Sequence, residues 1–275
     1  MGINLLATVV VVVEVAFIAT QGIGGDAHAY WAADLAHPYR HSTVDTLDAY
    51  LYSPAFLQAI APLRLLPFAL FFAVLTIAEA ATLIWLAGPV VAAIALIPTP
   101  FSPVFTDMWF GNISVLMAGF VAISLRRPAA WSFVLLTKVT PGVGTLWLVG
   151  RRDWRALSLV VGATLAIVLV SVALGGIQPW VEWFSNLIAN AALPPPDRAV
   201  HLPPLAIRLV LAAAVALVAG WRKWPAALPV VVILSVPVFW FGSLSVLLVW
   251  FRQLRDRARQ DADHQVGHVV DEEAG

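Results

Sequence analysis

Long apolar runs, separated by shorter polar segments, follow one another along most of this chain. The first run, residues 3–22, has about 20 residues, the length of a helix that crosses ~30 Å of hydrocarbon. Further runs that predict full or short spans lie at residues 65–88, 89–98, 112–125, 156–174 and 205–220. The pattern predicts an all-α polytopic membrane protein, with a membrane-embedded domain at residues 1–251 and a polar tail at residues 252–275.

The first run also has features of a signal peptide, because Ala27-His28-Ala29 behind it is similar to a cleavage site. However, no positive charge precedes the run, and Glu14 interrupts it. We therefore expect an uncleaved first helix.

Two apolar regions contain helix breakers near their centres. Residues 128–150 contain Pro141, and residues 225–251 contain Pro237, each with glycine close by. Each region can be one crossing helix or a broken pair of segments that enters the membrane and returns to its starting side.

Charge favours the folded-back alternative, because Lys and Arg concentrate in cytoplasmic loops. The basic clusters lie at residues 126–127, 151–155 and 221–223 and in the tail. If both broken regions return, all of these clusters lie on one side of the membrane. The tail is then cytoplasmic, and the long loops at residues 24–62 and 175–204 are outside.

The second outer loop carries a helical pattern of apolar residues. Trp180, Trp183, Phe184, Leu187 and Ile188 recur at i, i+3, i+4, i+7 and i+8, with polar residues between them. This pattern is typical of a helix that lies in the membrane interface. The alternative is a helix that packs on other loops.

Composition narrows the class of protein further. Of 275 residues, 61% are hydrophobic and 12% are charged, which excludes a soluble globular enzyme. The chain has no cysteine, which excludes disulfides, thiolate metal sites and cysteine nucleophiles. Its formal net charge of zero gives no reason to expect nucleic acid as a partner.

The first outer loop concentrates side chains with acid–base chemistry. Asp26 follows two glycines where the first helix ends, and a carboxylate there can accept a proton from an incoming hydroxyl. The alternative is an ordinary solvated acid. His37 and His41 have i, i+4 spacing, but Pro38 speaks against a helix between them, so we expect no metal site.

Three ionisable residues lie inside apolar runs, where charge is costly and often functional. Glu14 and Glu79 are expected to hydrogen-bond to neighbouring helices. Lys138 lies about 15 Å of helix beyond the start of its region. Its ammonium can either satisfy carbonyls freed by the break at Pro141 or bind a substrate phosphate.

Four segments together resemble glycosyltransferase family 87, whose members are C-type membrane enzymes that use polyprenyl-phosphate sugars. They are Asp26-Ala27-His28-Ala29-Tyr30-Trp31; Tyr50-Leu51-Tyr52-Ser53-Pro54-Ala55-Phe56, with Pro62 and Pro67 after it; Gly111-Asn112-Ile113-Ser114; and Lys138-Val139-Thr140-Pro141, with the basic loop at residues 151–155. They follow the family's order and cover nearly all of the apolar chain.

The resemblance implies a C-type bundle of about eight to ten transmembrane or re-entrant helices, with interfacial helices in the outer loops. It also implies transfer of a hexose, most often mannose, from a polyprenyl-phosphate donor. The acceptor would be a lipid-linked or envelope glycan at the outer face of the cell membrane. Such enzymes usually invert the anomeric centre.

The resemblance also implies roles for individual residues. Asp26 would be the general base, and Arg40, Arg64 and Lys138 would hold the lipid phosphate. The substrate-binding residues would further include Tyr30, Tyr52 and Asn112. No cofactor or metal is implied.

The chain departs from the family pattern in two respects. It is short, and where many members have a Ser-Pro-x-x-Trp segment followed by His, residues 235–240 are followed by Phe241-Gly242-Ser243. The composition also fits a small transporter or flippase, or a non-catalytic membrane partner. A transporter, however, predicts internal repeats and ionisable residues along a central path, whereas most polar residues here lie in one loop.

Overall fold

The structure is a computed structural model that describes residues 2–40, 42–44 and 46–274, with side chains as far as residue 263. These residues form helices and no strands, which confirms the predicted all-α class. The α-helices are α1 (Gly2–Gln21), α2 (Gly25–Ala32), α3 (Pro54–Ile60), α4 (Phe68–Ala87), α5 (Pro89–Ala95), α6 (Pro103–Phe110), α7 (Ser114–Ser124), α8 (Trp131–Thr137), α9 (Leu146–Gly150), α10 (Trp154–Gly175), α11 (Gln178–Ala191), α12 (Leu205–Trp221), α13 (Leu228–Ser235) and α14 (Leu248–Ala274). Short 3-10 segments lie at Leu63–Leu65, Pro128–Ala130, Thr140–Thr145, Pro225–Ala227 and Phe241–Leu247.

Among the described residues, the helices α1, α4 and α10 are each long and apolar enough to cross a membrane. This confirms the spans predicted at residues 3–22, 65–88 and 156–174. Helix α4 ends at Gly88, whose φ of 85° is a conformation that favours glycine. Helix α10 begins at Asp153, whose carboxylate accepts a hydrogen bond from the backbone N–H of Ala156 at 3.1 Å.

The short third span predicted at residues 89–98 is wrong. That segment holds α5, which has only seven residues and is about 10 Å long. Residues 99–110, for which the sequence predicts no span, contain α6, because Ser102 caps the backbone N–H of Phe105 and Pro103 follows it. Helices α6 and α7 meet at a bend of 112° and together have the length of one broken span.

The two regions with central prolines are broken, as the sequence predicts. Helix α8 stops before Lys138, a 3-10 segment follows, and α9 ends at Gly150. Close backbone packing holds α9 against α12. A Cβ atom on Gly150 would lie 2.2 Å from the Leu217 carbonyl oxygen, and one on Gly220 would lie 2.2 Å from the Trp147 carbonyl oxygen.

The basic clusters all lie at one end of the helix bundle. Arg126 and Arg252 both pair with Asp256 of α14, at 3.2 and 3.0 Å. Arg255 donates to the Trp85 carbonyl at the end of α4, at 3.1 Å. Trp250 donates to the Ala226 carbonyl at 2.7 Å, next to the cluster at residues 221–223. The close contact of α9 with α12 brings residues 151–155 to the same end.

The helices of the two loops predicted to be outside pack at the opposite end of the bundle, around the last turns of α10. Gln58 of α3 donates to the Ser171 carbonyl at 3.1 Å, and Trp180 of α11 donates to the Ser171 hydroxyl at 3.1 Å. The predicted apolar face of α11 is buried at some positions and exposed at others. Trp180 and Trp183 are buried against the protein, whereas Phe184 and Ile188 are 53% and 73% exposed.

The predicted division between the membrane domain and the tail falls inside a helix. Helix α14 runs without interruption from Leu248 to Ala274. Its first turns pack on the bundle through Arg252 and Arg255, whose guanidinium groups donate to the Trp85 carbonyl. The separate tail at residues 252–275 stays a prediction.

Candidate functional site

The site begins where the chain leaves α1. Gly24 has a φ of 59°, so the backbone turns sharply there, and its N–H donates to the Trp109 carbonyl at 3.0 Å. Helix α2 starts at the next residue. The turn carries Asp26 in the first turn of α2, against the bend between α6 and α7.

That bend approaches α2 very closely. Gly111 has a φ of 69°, and a Cβ atom on it would lie 2.6 Å from the Ala27 Cβ. Any larger residue would push the bend away from α2. The glycine of Gly111-Asn112 thus brings Asn112 next to Asp26.

Asn112 joins a carboxylate to an ammonium. Its side-chain amide donates to Asp26 Oδ2 at 2.7 Å, and its Oδ1 accepts from Lys138 Nζ at 3.2 Å. Ser114 Oγ donates to the same Oδ1 at 3.2 Å, which fixes the orientation of the amide. These three segments are far apart in sequence, and the structure brings three predicted site residues together.

The Lys138 side chain contacts the Asp26 site and not the helix break that follows it. Its hydrogen bond goes to Asn112 rather than to a carbonyl of the break at Pro141. Its backbone is extended, with φ −130° and ψ 102°, because α8 ends just before it. The ammonium therefore belongs to the site around Asp26.

The surroundings of Asp26 shift its pKa in two opposite directions. Burial raises the pKa of the Asp26 carboxyl, while the Asn112 hydrogen bond and the Lys138 charge lower it. The balance leaves a raised pKa. A carboxylate with a raised pKa is a stronger base.

A second carboxylate, Asp107 of α6, was missed in the sequence. It is 3% exposed, and its Oδ2 accepts from the backbone N–H of Val115 at 3.0 Å. One feature of the sequence could have indicated Asp107: it is the sole acidic residue between Glu79 and Asp153. A lone acid in apolar sequence, just before Gly111-Asn112, indicates a buried polar role.

The expectation that Glu79 hydrogen-bonds to a neighbouring helix is wrong. Glu79 is fully buried in α4, but neither carboxyl oxygen has a hydrogen-bond partner among the described residues. Its carboxyl group interacts electrostatically with Asp107 and Asp26. Helix packing alone brings it close to the site.

Tyr30 and Tyr52, two of the predicted site residues, are hydrogen-bonded to each other near Asp26. The Tyr30 hydroxyl donates to the Tyr52 hydroxyl at 2.9 Å, and the Tyr39 hydroxyl donates to the Tyr52 carbonyl at 2.8 Å. Burial raises the pKa of Tyr30 and Tyr52, and the charge of Asp26 adds to this effect. Both phenols are therefore neutral hydrogen-bonding groups.

Comparison with known proteins assigns the family. The model of glycosyltransferase family 87 matches residues 50–264, well over half of the chain. The chain belongs to glycosyltransferase family 87. No curated protein and no solved structure matches it.

Membership in family 87 makes the chain a glycosyltransferase, with a sugar donor and a glycan acceptor as substrates. With its several apolar helices, it is a multi-pass membrane protein. The transporter and non-catalytic alternatives are not favoured. The matched range includes Asn112 and Lys138, whereas Asp26 lies before it.

The two predicted phosphate-binding arginines lie away from the Asn112 bridge. Arg64 donates through Nε to the Trp31 carbonyl at 2.9 Å and through Nη2 to the Ala33 carbonyl, so it holds the last turn of α2. Arg40 is exposed in the first outer loop. Of the three cations predicted to hold the phosphate, Lys138 is the one that contacts the Asp26 cluster.

The described residues contain no group of three His, Asp or Glu side chains that could hold a metal ion. His41, which the sequence singled out, lies outside the described residues. The His28 imidazole contacts the Asp48 carboxylate, with 2.5 Å between Nδ1 and Oδ1.

Proposed function

We propose that this glycosyltransferase transfers mannose from a polyprenyl-phosphate donor to a lipid-linked or envelope glycan at the outer face of the cell membrane. The observation that carries the proposal is the bridge through Asn112. It holds the Asp26 carboxylate and the Lys138 ammonium on the two ends of one amide group. An inverting transfer needs a base for the acceptor hydroxyl, and a cation beside the departing phosphate favours it.

Asp26 acts as the general base in this mechanism. Its carboxylate takes the proton from the acceptor hydroxyl while that oxygen attacks the anomeric carbon. The bond between this carbon and the phosphate oxygen breaks on the opposite face, so the configuration inverts. The products are the new glycoside, polyprenyl phosphate and the protonated carboxyl group of Asp26.

Lys138 stabilises the leaving phosphate. An ammonium has three N–H donors, and the protein uses one of them on Asn112. The other two are available to phosphate oxygens, whose negative charge grows as the glycosidic bond breaks. No general acid is required, because the leaving phosphate is already an anion.

The arrangement of charge supports the assignment of the site to the outer face. The basic clusters lie at the end of the bundle where α4 finishes. Asp26 lies at the other end, where α4 begins and His28 contacts Phe68 at a ring distance of 4.9 Å. Because basic clusters mark the cytoplasmic side, the Asp26 end faces outward in this proposal.

The segment that departs from the family pattern lies beside the site. A Cβ atom on Gly242 would lie 2.9 Å from Asp107 Oδ1 and 3.1 Å from the Asp107 Cα. There is no room for an imidazole at this position. The proposed mechanism therefore relies on Asp26 and Lys138 and uses no histidine from this segment.

Purified protein, incubated with radiolabelled polyprenyl-phosphate-mannose and a native lipid extract, tests the proposal. We expect a labelled glycolipid in the extract and no label when the protein is boiled. Transfer from a nucleotide-sugar donor, with none from the polyprenyl phosphate, would contradict the assigned donor.

A further inference from the structure

A separate polar cavity of about 270 Å³ lies in the first outer loop. Its lining includes the last turn of α2 and the loop that follows: Ala32, Ala33, Asp34, His37, Pro38, Arg40, Leu47 and Asp48. None of these residues contributes to the bridge at Asn112. The cavity is open to the outside of the molecule.

The side chains that line this cavity are those that bind sugar hydroxyls. Among the described residues, the His37 imidazole and the Arg40 guanidinium make no side-chain hydrogen bond, so their N–H groups are available. The carboxylates of Asp34 and Asp48 each use one oxygen, on the Ala36 N–H and on His28. Each has a second oxygen that can accept from a hydroxyl.

The loop around the cavity is held in place from two sides. The Tyr39 hydroxyl donates to the Tyr52 carbonyl at 2.8 Å. On the other side, Asn190 of α11 accepts from the Val44 N–H at 2.8 Å and donates to the Ser42 carbonyl at 3.0 Å. A loop that is fixed in this way can present a preformed site.

Asp48 adopts an unusual backbone conformation that helps to form the lining. Its φ of 58° lies in the left-handed region, which residues other than glycine enter at a cost. In this conformation its Oδ1 lies 2.5 Å from His28 Nδ1, and the residue still lines the cavity. The pair links the cavity to α2, two residues beyond Asp26.

The distance to Asp26 suits an extended acceptor. Asp26 lies in the first turn of α2, and Ala32 in the cavity lining is six residues further, about 9 Å along the helix. This is roughly two sugar units. An acceptor glycan that reaches Asp26 with its attacking hydroxyl can therefore place a neighbouring sugar in the cavity.

We propose that this outer-loop cavity binds a sugar unit of the acceptor glycan, with Arg40, Asp34 and Asp48 as hydrogen-bonding residues. The inference rests on the proposed glycosyl transfer. In this proposal Arg40 binds a sugar of the acceptor, whereas the family resemblance implies that it holds the lipid phosphate.

Cysteine protection tests binding without turnover, because the chain has no cysteine of its own. Leu47→Cys introduces a thiol in the lining, and Leu35→Cys introduces a matched thiol on an exposed leucine outside it. At a concentration of methyl α-D-mannopyranoside about twice its Kd, occupancy should slow labelling of the Leu47→Cys thiol about threefold. The Leu35→Cys thiol should react at an unchanged rate, and cyclohexanol should protect neither.

Adding Arg40→Ala to the Leu47→Cys protein should abolish the protection. Equal labelling of the Leu47→Cys thiol with and without sugar would overturn the proposal, as would protection that survives Arg40→Ala.

Kinetics then separate this proposal from the proposed function. In the transfer assay, Arg40→Ala should raise the KM for the lipid-extract acceptor and leave the KM for polyprenyl-phosphate-mannose unchanged. A raised donor KM, or an unchanged acceptor KM, overturns the acceptor site. If the unmodified protein transfers no mannose, the proposed function fails, whereas sugar protection of the Leu47→Cys thiol would still show an occupied cavity.

Discussion

The Oδ2 atom of Asp107 accepts a hydrogen bond from the backbone N–H of Val115 at 3.0 Å, across the 112° bend between α6 and α7. This bond ties the two sides of the bend together and satisfies a free donor at the start of α7. Asn112 lies between the two residues, so the bond also fixes the residue that bridges Asp26 and Lys138.

Asp107→Ala should lower the stability of the protein, because it leaves the buried Val115 N–H without an acceptor. An unpaired buried group costs about 1–3 kcal/mol, which thermal unfolding in detergent can detect. Asp107→Asn keeps a carbonyl oxygen and should cost less. Asp261→Ala, an exposed acid on α14, is the control and should leave the melting temperature unchanged. Equal melting temperatures for all three variants would contradict this role.

The sequence predicts the long helices well, because a continuous apolar run of membrane length has few alternatives. Helices α1, α4 and α10 lie close to their predicted bounds. The prediction was wrong at residues 89–98 and gave no helix at residues 99–110. Prolines and Ser102 start short helices there, which apolar periodicity alone does not reveal.

The site was predictable where a motif marks it and not where tertiary packing creates it. Asp26, Asn112 and Lys138 were each predicted from motifs, but the bridge between them depends on the close approach of Gly111 to α2. Asp107 was missed, because its acceptor role depends on a bend that the sequence does not show.

Asp26→Asn should abolish transfer while leaving fold and donor affinity unchanged. The substitution retains the shape of the side chain and removes the proton acceptor, which typically costs about 10²–10⁴-fold in rate. Single-turnover transfer of radiolabelled mannose measures this loss. Asp197→Asn in the second outer loop is the matched control and should keep full activity. Asp34→Asn, Asp45→Asn and Asp48→Asn test the other aspartates of the first outer loop. At a saturating concentration of acceptor, each of these variants should retain the turnover rate of the unmodified protein. Loss in one of these, with Asp26→Asn active, would identify a different base.

Asn112→Ala should move the acid limb of the pH profile of kcat/KM to higher pH. The base must be ionised to act, and burial already raises the pKa of Asp26 above its ordinary value. The Asn112 hydrogen bond lowers this pKa, so its removal raises the pKa further and activity is lost at a higher pH as the pH falls. Asn4→Ala, on the exposed face of α1, should leave the limb where it is. A shift to lower pH in Asn112→Ala would contradict the assignment of Asp26 as the titrating base.

The folded-back topology predicts which sites a membrane-impermeant thiol reagent reaches. Reporter cysteines for this experiment must replace exposed residues. Ala192→Cys should react in intact cells, and Arg155→Cys should react only after permeabilisation. Strong labelling of Arg155→Cys in intact cells would show that residues 128–150 cross the membrane once.

Lys138→Met tests the proposed phosphate contact directly. The substitution keeps the length of the side chain, removes the charge and leaves Asn112 Oδ1 with its hydrogen bond from Ser114. We expect a raised KM for polyprenyl-phosphate-mannose and a melting temperature close to that of the unmodified protein. Arg64→Met is the comparison, since Arg64 contacts the Trp31 and Ala33 carbonyls and should mainly lower stability. If Lys138→Met instead lowers the melting temperature and binds the donor normally, the ammonium has a structural role through its hydrogen bond to Asn112. The phosphate must then be held by other groups.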